Sequence, residues 1–158
     1  MNPIFDAIEA GDAKKLEKAL GVDKSQLEMV SDEHEGLTPL LLACQNSNLE
    51  IVRVLLKAGA NPDYDGHHYA CPIHEGAHNL GILKELLAAG AKPDRPAEDY
   101  VTALMMLAES DKFLPQVEEL LKAGADPAIV NKMGETALSI AEEFGALKVA
   151  TAIREKMK

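Results

Sequence analysis

The chain has 158 residues, a length that fits one domain, and 47% apolar residues, enough to fill a core. Its 16 basic and 26 acidic residues give a net charge of −10, which argues against nucleic acid, because phosphate binding needs a clustered basic surface. With only 4% aromatic residues and no Trp, the core must come from Leu, Ala, Ile and Val, the set that closely stacked helices use.

The N-terminus has no charged region followed by an apolar run, and no stretch approaches roughly 18 apolar residues, so neither export nor a membrane span is expected. Asn2-Pro3-Ile4-Phe5-Asp6-Ala7 opens a first helix, Gly11-Asp12 makes a turn, and a second helix carries Lys14, Lys15 and Lys18. This pair presents a polar outer face, as the end of a stack requires. The connection over 21–35 runs about three residues longer than the later ones, and an extra helical turn is expected at 25–30. Two cysteines, Cys44 and Cys71, do not make a disulfide framework, so a reducing, cytoplasmic compartment is expected.

From residue 38 the chain repeats itself. Thr38-Pro39-Leu40 returns as Cys71-Pro72-Ile73, Thr102-Ala103-Leu104 and Thr136-Ala137-Leu138, at intervals of 33, 31 and 34 residues. Leu55-Leu56-Lys57-Ala58-Gly59-Ala60-Asn61-Pro62-Asp63 keeps step with it. That phrase recurs from Leu86 to Asp94 and again from Leu120 to Ala128. The first phrase opens a helix, with threonine as N-cap and proline at the first helical position. The second closes one, since glycine past the end takes the left-handed conformation of a C-cap, and Pro-Asp forms a turn. The unit is helix, turn, helix, extended loop. Alone it cannot bury its apolar face, so neighbours must stack. The third unit is two residues short in its helix–helix turn. The fourth has one extra residue near 112–115, where Pro115 starts the second helix.

The phrases Thr-Pro-Leu and Gly-Ala-x-Pro-Asp, with His74 at the fourth place of Cys71-Pro72-Ile73-His74, resemble those of the ankyrin repeat family. The resemblance implies an all-α ankyrin-repeat solenoid of about five repeats, with projecting hairpin loops and degenerate caps. It forms one domain: cap repeat 1–35, repeats 36–66, 67–97 and 98–131, and cap repeat 132–158. The period varies from 31 to 34, which separates this chain from designed arrays of constant period. The family binds proteins on the concave side made of loop tips and first-helix faces.

Mapped by register, that side comprises His34, Glu35, Leu37, Gln45 and Asn46, then His67, His68, Ala70, His78 and Asn79. It continues through Glu98, Asp99, Val101, Glu109 and Ser110 to Lys132, Met133, Glu135, Glu143 and Phe144. Four of the five histidines fall on it, and its charges are otherwise mostly acidic. A non-enzymatic protein-binding module is therefore expected, monomeric when unbound, with no cofactor and no nucleic-acid or membrane partner.

One motif points elsewhere. His74-Glu75-Gly76-Ala77-His78 matches His-Glu-x-x-His, in which two histidines one helical turn apart hold zinc and the glutamate acts as base. No histidine follows His78, so a third ligand would have to be an acid such as Glu98 or Glu109. His74 also stands at the repeat's own histidine position, where the family uses it for loop hydrogen bonds. Glu75 takes a slot held elsewhere by Leu42, Met106 and Ile140, so either the two missing residues open this repeat or Glu75 has a structural partner such as His74 or His78, the pairing being the favoured reading. The alternative is a metal- or small-ligand-binding protein using His74, Glu75 and His78. No other catalytic pattern is present.

Overall fold

A computed structural model describes residues 2–64 and 71–158. The described helices come in five pairs. They are α1 (Pro3–Glu9) with α2 (Ala13–Val22), α3 (Pro39–Gln45) with α4 (Leu49–Ala58), and α5 (Pro72–Gly76) with α6 (Leu80–Ala88). Then follow α7 (Ala103–Leu107) with α8 (Leu114–Lys122), and α9 (Ala137–Glu143) with α10 (Leu147–Lys156). The first helices touch in the order α1, α3, α5, α7, α9, and the second helices in the order α2, α4, α6, α8, α10. This is a two-layer solenoid with one continuous apolar core.

The local chemistry follows the repeated phrases. Thr38, Thr102 and Thr136 each accept a backbone N–H from three residues on, at Leu41, Met105 and Ser139. Pro39, Pro72 and Pro115 lie in first turns, where no donor is lost. Gly59, Gly90 and Gly124 follow the second helices with φ of 107°, 95° and 97°, a left-handed geometry that a side chain resists. The first leucine of each Leu-Leu phrase (Leu55, Leu86, Leu120) is fully buried. Cys44, Ala77 and Ala108 share one small buried position, as their register requires. Burial pushes both cysteine thiols up in pKa, Cys44 furthest, so neither is poised as a thiolate.

The loops are tied from repeat to repeat. Asn61 donates its N–H to Glu28 Oε1 at 2.6 Å, Lys92 to Asp63 Oδ1 at 2.9 Å, and Asp126 to Asp94 Oδ1 at 2.8 Å. Asp63 and Asp94 are thus inter-repeat acceptors rather than free turn acids. The extra helical turn expected at 25–30 is a 3-10 helix, Lys24–Glu28, and a second 3-10 turn, Asp32–His34, follows it in the same connection.

The extra residue of the fourth repeat has a structural use. It forms a 3-10 turn, Asp111–Phe113, whose Asp111 Oδ1 accepts the N–H groups of Lys148 (2.9 Å) and Val149 (3.0 Å). Helix α10 has Ala146 at its N-cap and no side-chain cap of its own, so Asp111 caps it from the neighbouring repeat. Asp111→Ala is expected to cost about 1 kcal/mol. Amide exchange should accelerate at Lys148 and Val149 first; unchanged exchange there would remove this role.

Candidate binding face

Three described hairpin loops project between repeats, each closed by a backbone hydrogen bond: Ser31 N–H to Leu37 O, Ala97 N–H to Val101 O, and Asn131 N–H to Glu135 O, at 3.1, 2.8 and 3.0 Å. Together with the C-terminal ends of the first helices they carry the residues mapped by register. His67, His68 and Ala70 lie outside the described residues.

The mapped residues divide into two groups. Several serve the fold. Leu37 is a core residue, and the half-buried Val101 packs against the core, so neither is an open contact. The His34 ring stacks on Phe5 at 4.7 Å, its Nδ1 meets Ser31 Oγ at 2.8 Å, and its Nε2–H donates to Glu9 Oε1 at 3.0 Å. With its side chain 14% exposed, His34 fastens the first hairpin to the cap repeat. Asn79 caps α6 through the N–H groups of Gly81 and Ile82, and Ser110 caps the turn that follows it. Glu135 accepts from Asn131 Nδ2 within its own hairpin.

The others face solvent: Glu35, Gln45, Asn46, His78, Glu98, Asp99, Glu109, Lys132, Met133, Glu143 and Phe144. Among them Lys132 pairs with Asp99 at 2.9 Å, and this bond holds the Lys132 ammonium above its ordinary pKa. Tyr100, which register mapping omitted, is 57% exposed at a hairpin tip. Its signal in the sequence was its place two residues before Thr102, where Gly36 and Gly134 precede Thr38 and Thr136 and Tyr69 precedes Cys71.

The His-Glu-x-x-His pattern is not built as one site. Helix α5 ends at Gly76, so His74 and His78 do not lie one turn apart on a continuous helix. His74 is 2% exposed, and its Nδ1 accepts the Cys71 N–H at 3.3 Å, which places the neutral ring's proton on Nε2. His78 is exposed, its ring edge-on to Phe113 at 4.9 Å. No cluster of three or more metal-ligating side chains occurs among the described residues. Glu75 is half-buried rather than sealed in the stack, like Met106 in the same slot, whereas Leu42 and Ile140 there are buried. The carboxylate there forms no hydrogen bond with His74 or His78 among the described residues, contrary to the pairing the sequence led us to expect.

Burial lowers the His74 pKa below 6.5, although the backbone carbonyls of Val101 and Arg95 act in the opposite direction. Its Nε2 has no partner within hydrogen-bonding geometry among the described residues. A depressed histidine pKa means that, below about pH 6.5, the unfolded chain takes up a proton that the folded chain refuses. Stability is therefore whole above that pH and falls as the pH drops, by up to about 1.4 kcal/mol per pH unit. Chemical denaturation at about pH 7.5 and about pH 5.5 should show a steeper loss for the native chain than for His74→Gln. Equal losses would mean that His74 titrates normally.

A model of the ankyrin repeat matches residues 35–67, and a model of three ankyrin repeat copies matches residues 67–157. FPV014, a Fowlpox virus (strain NVSL) protein named for ankyrin repeats, is 43% identical over 60 residues, which are 38% of this chain and 13% of that protein. Residues 67–157 alone exceed half of the chain, and the helix pairs, capped phrases and hairpins run through the same span: the chain belongs to the ankyrin repeat family.

Proposed function

We propose that this chain binds a protein partner through its first-helix ends and hairpin tips and carries out no chemistry. Ankyrin repeats are in general protein–protein interaction modules. The observation that carries the reading here is a set of side chains on the first-helix side that the fold leaves unused. The side chains of Gln45, Asn46 and Glu109 are exposed and make no hydrogen bond or ion pair among the described residues, and Met133 is 75% exposed. On the second helices two ion pairs link neighbouring repeats, Arg53 with Glu85 at 2.7 Å and Lys84 with Glu119 at 3.6 Å. Side chains that do nothing for the fold are the ones available to a partner. His67 and His68 belong to the same side by register.

Affinity capture from the source organism followed by mass spectrometry would name the partner, and titration calorimetry then locates the site. Joint replacement of Gln45, Asn46 and Glu109 by alanine is expected to weaken binding at least about tenfold, or about 1.4 kcal/mol. Arg53→Ala and Lys57→Ala should leave it unchanged. The opposite pattern would move the site to the second-helix layer.

A further inference from the structure

The hairpin tips at 98–101 and 131–135 are joined. Lys132 donates its backbone N–H to the Asp99 carbonyl at 2.9 Å, and its ammonium meets the Asp99 carboxylate at 2.9 Å. Two adjacent repeats therefore present one platform instead of two independent loops. On that platform Asp99 and Tyr100 both adopt left-handed backbone conformations, with φ of 58° and 61°. At the slot of Tyr100 the other two described hairpins have Gly36 and Gly134, with φ of 82° and 83°; by register Tyr69, outside the described residues, shares the slot. A tyrosine there carries a conformational cost that glycine avoids. Tyr100 is 57% exposed and recovers little of that cost by burial within the chain. Met133 stands exposed on the adjoining tip.

The charge around the platform selects its occupant. Helices α1, α3, α5, α7 and α9 contain no Lys or Arg, whereas each of α2, α4, α6, α8 and α10 contains at least one. In the described hairpins the sole Lys or Arg is Lys132, and Asp99 already offsets it. Glu98, Glu109 and Glu143 remain as exposed acids on this side. Such a surface attracts a cationic segment and repels an acidic one.

Resting on the binding face proposed above, we propose that the joined tips dock a polypeptide segment carrying Arg or Lys beside an apolar side chain. Tyr100 and Met133 are its anchors. A guanidinium lies favourably over the tyrosine ring, and the exposed thioether adapts to an aliphatic or aromatic neighbour. Exposed aromatic side chains at the centre of a contact carry a disproportionate share of affinity.

The test is a random-peptide phage library panned on the intact chain, with the selected peptides titrated against variants by fluorescence polarisation. The selected peptides are expected to pair Arg or Lys with an aliphatic or aromatic residue. They should bind Tyr100→Gly and Met133→Ser about tenfold more weakly or worse. The Tm of Tyr100→Gly should equal or exceed that of the native chain, since glycine suits this backbone, so the loss cannot be misfolding. Raising the ionic strength from about 0.05 M to about 0.3 M should weaken binding further. Selection of acidic peptides, undiminished binding to Tyr100→Gly, or no binders beyond an unrelated control protein would overturn the inference. Peptides lost on Gln45→Ala/Asn46→Ala but retained on Tyr100→Gly would sink it while leaving the wider binding face standing. Loss only on Arg53→Ala/Lys57→Ala would sink both.

Discussion

Leu86→Ala is expected to lower the unfolding free energy by about 2–5 kcal/mol, with Leu55→Ala in the same range. Both leucines open a Leu-Leu phrase, both are fully buried, and both sit on second helices that pack against the helices before and after them. Truncation removes the transfer free energy of the lost carbons and leaves a void that neighbours fill only in part. In a solenoid the void cannot be closed by shifting one helix, because each pair is held on two sides, α6 between α4 and α8. The second leucines, Leu56 and Leu87, are only half-buried, so their replacement should cost clearly less. Chemical denaturation of the four single variants gives the comparison. Equal losses for Leu86 and Leu87 would mean that the register assigned to the phrase is wrong.

The periodic part of the molecule was legible because its causes are local. A threonine N-cap, a first-turn proline and a glycine past the last turn act on their own residues, and each of them lies where its phrase placed it. What the sequence hid depends on contacts between repeats. Nothing near Ala146 announces that its helix is capped by Asp111, because that carboxylate arrives from a different unit. His34 looked like a surface histidine on a polar loop, and only the packing of the first hairpin on α1 turns it onto Phe5 and Glu9. The His-Glu-x-x-His pattern misled for a related reason. Its spacing implies one ligand face only if the helix continues through His78, and α5 ends at Gly76. The acceptor role of Asp63 and Asp94 likewise appears only when the next loop is alongside.

The shortened third repeat also reverses the expected sign of a glycine substitution. Gly76 lies in the last turn of α5, where alanine would ordinarily stabilise a helix by up to about 1 kcal/mol. Its φ is not positive, so backbone strain gives no reason for glycine. Space does. A Cβ at this position would lie 2.5 Å from Ile82 Cγ2 and 3.0 Å from Leu86 Cδ1. Neither atom can retreat easily, because Ile82 and Leu86 are fully buried and the isoleucine is stiff at its branched Cβ. Two residues fewer between Cys71 and Asn79 than between Thr38 and Asn48 bring α5 this close to α6, and only hydrogen fits in the gap. Gly76→Ala is therefore expected to destabilise by about 1–3 kcal/mol, the usual cost of overpacking a filled core. The cause can be isolated in a double-mutant cycle with Ile82→Ala, which removes the obstructing methyl. In that background Gly76→Ala should cost little or become stabilising, so the two substitutions should couple strongly. Simple additivity of the two losses would show that the contact with Ile82 does not set the requirement for glycine, whatever the stability of either single variant.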